Sequence, residues 1–153
     1  MFALIFVCLS GCKVKNYTPE IPASFEQSVT VSDGDFSYEC EACRKDGIVT
    51  ITVLDTNAKG MVMSYNGKSL NLRYNQLSYD IDAKRFEKSN PAIVIYELFD
   101  YIENTQEMNV RKIDSGFKYE GRISSGSFIL LQNEDNSFDT LSFKTNDIVF
   151  KFK

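Results

Sequence analysis

Apolar residues recur at every second position over most of this chain, and that period limits the folds open to it. Phe36-Ser-Tyr38-Glu-Cys40-Glu-Ala42 shows it most cleanly: one side of the extended segment is apolar, and the other carries Ser37, Glu39 and Glu41. Period two buries one face and wets the other, the mark of a strand in an antiparallel sheet. Similar segments run from Phe25 to Val31, Ile48 to Leu54, Met61 to Tyr65, Leu70 to Tyr74 and Leu77 to Ile81. Turn residues separate them: Ser32-Asp33-Gly34-Asp35, Lys45-Asp46-Gly47, Asn66-Gly67 and Asn75-Gln76. Asn66-Gly67 is the strongest hairpin signal, because both residue types tolerate positive φ. Abundant Phe, Tyr, Ser and Thr fit the same class.

The period changes once. Asn90-Pro91 reads as a helix N-cap followed by proline at the first helical position. Ile95, Leu98, Phe99 and Ile102 then fall at i, i+3, i+4 and i+7, the stripe of one amphipathic helix of roughly 14 residues. It ends near Asn104. Alternation resumes after Asp114-Ser115-Gly116, with strands at Phe117 to Ile123, Phe128 to Leu131, Phe138 to Phe143 and Ile148 to Phe152. The order of about six strands, a helix and four strands predicts a mainly β, α+β domain. One long antiparallel meander curled around the inserted helix satisfies it with short connections.

Met1 to Cys12 has another character. An uncharged apolar run ends in Leu9-Ser10-Gly11-Cys12, which resembles the lipobox of bacterial lipoprotein signal peptides. The resemblance implies diacylglycerol on the Cys12 thiol and cleavage before Cys12, so that residues 1–11 are a signal peptide. The run is too short to cross a hydrocarbon core of roughly 30 Å, which takes about 20 apolar residues, but it matches a signal-peptide h-region. No Lys or Arg precedes Cys12, so the usual positive n-region is missing and a start codon upstream is expected. The competing reading is a buried N-terminal strand that happens to end in Gly-Cys. Residues 12–24 hold two of the three prolines and no periodicity. They read as the lipidated Cys12 and an extended tether, leaving 25–153 as one domain. The expected location is the extracytoplasmic face of a membrane in a bacterial envelope.

Composition removes several classes of function. The chain has no His and a net charge of −4. A Ser-His-Asp or Cys-His arrangement is therefore impossible, and no basic stretch is dense enough for nucleic acid. Cys40-Glu-Ala-Cys43 suggests a redox pair or half of a zinc site. With neither His nor a second Cys pair, the usual zinc donors cannot be completed, and no metal or cofactor is expected. Residues three apart on a strand point to opposite faces, which leaves two unrelated thiols, or a disulfide bent across the strand end before Asp46-Gly47. Asp33/Asp35, Asp80/Asp82 and Asn133/Asp135/Asn136 read as turn and edge residues, with a carboxylate pair or calcium corner as the alternative. No Gly-rich phosphate loop is present. No catalytic residue is expected, and the chain does not read as an enzyme.

The order of elements resembles the LolA-like proteins, and most closely small bacterial lipoproteins with that fold. The resemblance rests on Phe36 to Tyr38, Val49 to Leu54, Lys59-Gly60-Met61, Tyr65-Asn66-Gly67 and Pro91 to Phe99, and spans most of 25–153. Asp55-Thr56 stands where the pattern has proline. The resemblance implies an incomplete barrel with one covering helix, and a family in which LolA itself binds acyl chains. The residues offer a matching candidate site. Met61, Met63 and Tyr65 share one strand face, with Leu70, Leu72 and Tyr74 on the next strand and Phe99 on the helix. Flexible Met beside aromatics lines adaptable apolar pockets, and it also fills ordinary cores.

Two functions remain: a binding protein for a lipid or other apolar ligand, and a protein-interaction or sensor module of a membrane-bound assembly. A continuous apolar cavity favours the first, and a filled core with an exposed apolar patch favours the second. Both need the anchor. In detergent phase partitioning, the wild-type protein is expected in the detergent phase, with Cys12→Ala aqueous or unprocessed. Equal partitioning of the two would refute the anchor.

Overall fold

The computed structural model describes residues 20–83, 89–105, 108–144 and 147–153. The leader, Cys12 and tether residues 13–19 lie outside the described residues. Eleven strands and one helix follow in the order β1 (Phe25–Asp33), β2 (Phe36–Lys45), β3 (Ile48–Val53), β4 (Val62–Tyr65), β5 (Ser69–Tyr74), β6 (Leu77–Asp82), α1 (Pro91–Asn104), β7 (Asn109–Ile113), β8 (Gly116–Ile123), β9 (Gly126–Asn133), β10 (Phe138–Phe143) and β11 (Ile148–Phe152). All strands join one sheet in the order β6-β5-β4-β3-β2-β1-β11-β10-β9-β8-β7. Every pairing is antiparallel.

Two features differ from the sequence expectation. First, β7 is an eleventh strand. Its residues Asn109-Val-Arg-Lys-Ile113 carry only two apolar side chains, which lie on opposite faces because they are three apart. Second, the sheet is two meanders rather than one. The six-strand and five-strand halves join where β1 pairs with β11, Val29 opposite Phe152 and Val31 opposite Phe150. The first and last strands therefore meet mid-sheet, and the sheet edges β6 and β7 flank the helix in sequence.

Even-numbered or odd-numbered residues of each strand build one apolar face. Across the β1–β5 half, Val29 and Val31, Cys40 and Ala42, Val49, Ile51 and Val53, Met63 and Tyr65, and Leu70 are all buried. The other half adds Phe117, Tyr119, Phe128, Leu130, Phe138, Leu141, Phe143, Phe150 and Phe152. The helix lies on this face and touches β3, β4 and β8, strands from both halves, so the sheet curls around it. The helix begins where the sequence placed it: Asn90 caps it by accepting from the Ala92 and Ile93 amides, with Pro91 at the first helical position. Ile95, Leu98, Phe99 and Ile102 form its buried stripe.

Turn chemistry is redistributed. Asp46 and Gly47 both take positive φ, 51° and 72°, and give the two-residue turn between β2 and β3. At Asn66-Gly67 only Gly67 does, at 89°. There Asn66 Oδ1 accepts from the Lys68 and Ser69 amides and makes a three-residue connection instead.

Phe99 is the centre of the packing. It is 2% exposed, stacks on Phe25 at 5.2 Å and meets Phe138 edge-on at 5.4 Å. Phe99→Ala is expected to destabilise the domain by about 3–5 kcal/mol in a denaturant melt. A loss below about 1 kcal/mol would show that the ring is not a core residue.

Candidate ligand-binding site

The register brings five of the sequence-selected residues onto one stretch of the inner face. Met63 lies opposite Leu72 and Tyr65 opposite Leu70, while Tyr74 follows two residues further along β5. Parity then adds three residues of β6 that the sequence analysis did not place in the site. Ile81 faces Leu70, Tyr79 faces Leu72 and Leu77 faces Tyr74. Directly opposed antiparallel residues project to the same side, so Leu77, Tyr79 and Ile81 continue the inner face to the sheet edge. The convex side of the same hairpin is polar: Asn71 Nδ2 donates to Ser78 Oγ and to Asp80 Oδ1.

Cover over this face runs out stepwise. Tyr65 and Leu70 are buried, and the Tyr65 ring meets Tyr96 of α1 edge-on at 5.0 Å. Burial, then the nearby Glu97 carboxylate, Tyr96 and Asp82, push the Tyr65 hydroxyl above its usual range and keep it neutral. Met63 is buried beside the helix start, where Asn90 Nδ2 donates to its Sδ at 3.4 Å. Met61 and Leu72 are half-buried against the core. Beyond them the face is open: Tyr74 is 38%, Leu77 58% and Tyr79 59% exposed. The stripe is thus core at the helix and apolar rim at the edge. Tyr74 also donates its hydroxyl to the Asn57 carbonyl at 3.1 Å, which fixes the ring at the rim. Phe99 is not at the rim. It sits in the aromatic cluster at the C-terminal half of the helix, with the Arg44 guanidinium 4.6 Å over its ring.

Arg44 and Gln132 were not singled out from the sequence, and both are buried on the inner face. Arg44 follows Tyr38, Cys40 and Ala42 at period two, so its parity already marked it as inward. It is held by an ion pair to Glu103 near the helix end, at 2.7 Å.

Cys40 and Cys43 are free thiols, and Cys40 is buried. Burial, then the Glu39 and Asp55 charges, push Cys40 up to about 12, and burial raises Cys43 as well. Both stay protonated and poor as nucleophiles. Asp135 accepts from the Ser137 amide and hydroxyl in a local turn. No group of three acidic or Cys side chains is placed to hold a metal among the described residues.

No family model and no curated protein matches the chain. Among solved structures it is similar to a LolA superfamily protein from Nitrosomonas europaea, with 10% sequence identity and a TM-score of 0.38. That likeness covers 85% of this chain and 84% of the other.

Proposed function

We propose that this protein is a non-enzymatic envelope lipoprotein, anchored through Cys12, that binds an acyl chain or another apolar ligand on the open rim of its half-barrel. The observation that carries the reading is the exposure of Leu77 and Tyr79, beside Tyr74, on a face whose centre is core. Exposed apolar side chains next to one another, continuous with a buried apolar surface, mark a binding surface. The half-buried Met61 and Leu72 supply flexible and aliphatic walls, and Tyr74 and Tyr79 supply flat ones. The lipobox supports the location, since a tethered domain beside a membrane meets acyl chains at high local concentration.

A second reading has one observation in its favour. Among the described residues β6 is the last strand of the sheet, so the same rim borders a sheet edge. An extended partner peptide in an envelope assembly pairs with such an edge.

The two readings separate in a titration with the neutral probe N-phenyl-1-naphthylamine. On the carrier reading the domain binds it saturably. The double variant Leu77→Asp, Tyr79→Lys then weakens binding about tenfold or more, because each lost apolar contact is worth about 1.5–3 kcal/mol. Stability should change by less than about 1 kcal/mol, since both side chains are exposed. Absence of binding by the wild type up to the solubility limit of the probe would leave the edge-pairing module as the better account.

A further inference from the structure

The two edges of the sheet are guarded unequally. β7 carries Arg111 and Lys112, both exposed. Cationic side chains on an edge strand oppose its pairing with another chain. β6, Leu77-Ser-Tyr-Asp-Ile-Asp82, has no Lys, Arg or Pro, and five of its six residues are exposed. Leu77, Tyr79 and Ile81 lie on its inner side, and the charges of Asp80 and Asp82 lie on the convex side.

The β5–β6 hairpin decides which backbone groups this edge offers. Tyr74 and Leu77 pair across the two-residue turn Asn75-Gln76, where Asn75 takes a positive φ of 54°. Residues flanking such a turn exchange the closing hydrogen bonds, and beyond them hydrogen-bonded and non-hydrogen-bonded pairs alternate. Leu77, Tyr79 and Ile81 therefore direct their amides and carbonyls to β5. Ser78 and Asp80 direct theirs outward, where no further strand follows among the described residues.

The order of residues along this edge is self-complementary. An antiparallel pairing of two β6 strands centred on Tyr79 sets Tyr79 opposite Tyr79. It sets Leu77 opposite Ile81 and Ser78 opposite Asp80, each twice by symmetry. The outward backbone groups of Ser78 and Asp80 then meet one another, and the Tyr79 pair is of the close type, with Cα atoms about 4.5 Å apart. Ser78 Oγ accepts from Asn71 Nδ2 at 3.1 Å, so its own proton can go to the Asp80 carboxylate of the second copy. Neighbouring registers lose this match. Centring on Asp80 sets Asp80 against Asp80, and like charges directly opposite are destabilising. Centring on Ser78 leaves only residues 77–79 of the strand paired.

We propose that β6 is a self-association edge, through which two copies of this chain pair antiparallel over Leu77–Ile81 about a two-fold axis at Tyr79. The inference rests on the edge-pairing reading and names its partner; it holds with or without an apolar ligand on the rim. On the inner face the two rims join, and Tyr74, Leu77 and Tyr79 of each copy form one apolar surface. Five residue pairs are a small contact, in the class of transient complexes. Confinement by the proposed Cys12 anchor raises the local concentration at which such a contact forms.

The test uses the full chain with Cys8, Cys12 and Cys43 changed to Ser, which leaves the buried Cys40 as its one thiol. Sedimentation equilibrium should show a monomer–dimer equilibrium below about 1 mM. Ser78→Asp sets Asp against Asp80 twice and should weaken the dimer about tenfold or more. Adding Asp80→Lys places opposite charges at the same positions and should restore it. In the same background, Tyr79→Cys should form a disulfide-linked dimer under mild oxidation at least about tenfold faster than Phe36→Cys. Both side chains are 59% exposed, so random collision favours neither. A chain monomeric up to that concentration, a dimer indifferent to Ser78→Asp, or equal cross-linking at Tyr79 and Phe36 would overturn the proposal. A monomeric chain whose Ser78 and Asp80 amides exchange more slowly with an extended foreign peptide would keep the edge-pairing reading and remove the second copy as its partner.

Discussion

The contact on which the rest depends is the seating of α1 on the inner face of the sheet. An eleven-stranded antiparallel sheet with one apolar face has no stable flat form in water, because that face must be buried. The chain supplies the cover from its own connection. β6 and β7 are the two edges of the sheet, and the segment between them has to pass from one edge to the other. Ile95, Leu98, Phe99 and Ile102 turn that passage into a wedge. Arg44 then ties the end of the wedge to β2 through Glu103 and the Phe99 ring.

Cover is incomplete for a geometric reason. Eleven strands spaced about 4.8 Å apart give a sheet about 48 Å wide. A helix with side chains is only about 10 Å across, and α1 is about 21 Å long. It shields a few strands at most. The C-terminal half closes the rest with bulk: Phe128, Phe138, Phe143, Phe150 and Phe152 are all buried. Among the described residues the β6 edge has no such filling, and its inner face ends in Tyr74, Leu77 and Tyr79, all exposed. The rim is what remains of the apolar face where neither helix nor aromatic bulk reaches.

Most of this was legible in the residues. Period two gave ten strands to within two or three residues, and Asn90-Pro91 located the helix start. β7 was missed because Lys112 takes an inward position and Val110 and Ile113 face opposite ways. The β1–β11 pairing left no local trace, since every strand alternates alike and partners more than a hundred residues apart are chosen by packing. The stripe from Met61 to Tyr74 was visible as a row of apolar side chains, but whether each is core or rim depends on where the helix stops. Leu77, Tyr79 and Ile81 became part of it only through register. Arg44 and Gln132 lay on inward parity all along, and their charge and amide marked them as unusual there. What the sequence did not disclose was that residues 20–24 fold back to meet them.

The central claim is that the uncovered inner face of β5 and β6 is where an apolar ligand sits. Paramagnetic broadening of NMR signals by a spin-labelled apolar probe, such as a doxyl-labelled neutral lipid, tests it most directly. The account requires the strongest broadening at Leu72, Tyr74, Leu77 and Tyr79, with little at the exposed Ile48 and Phe36 elsewhere on the sheet. Broadening centred on Ile48 and Phe36, or spread evenly over the exposed apolar residues, would contradict it.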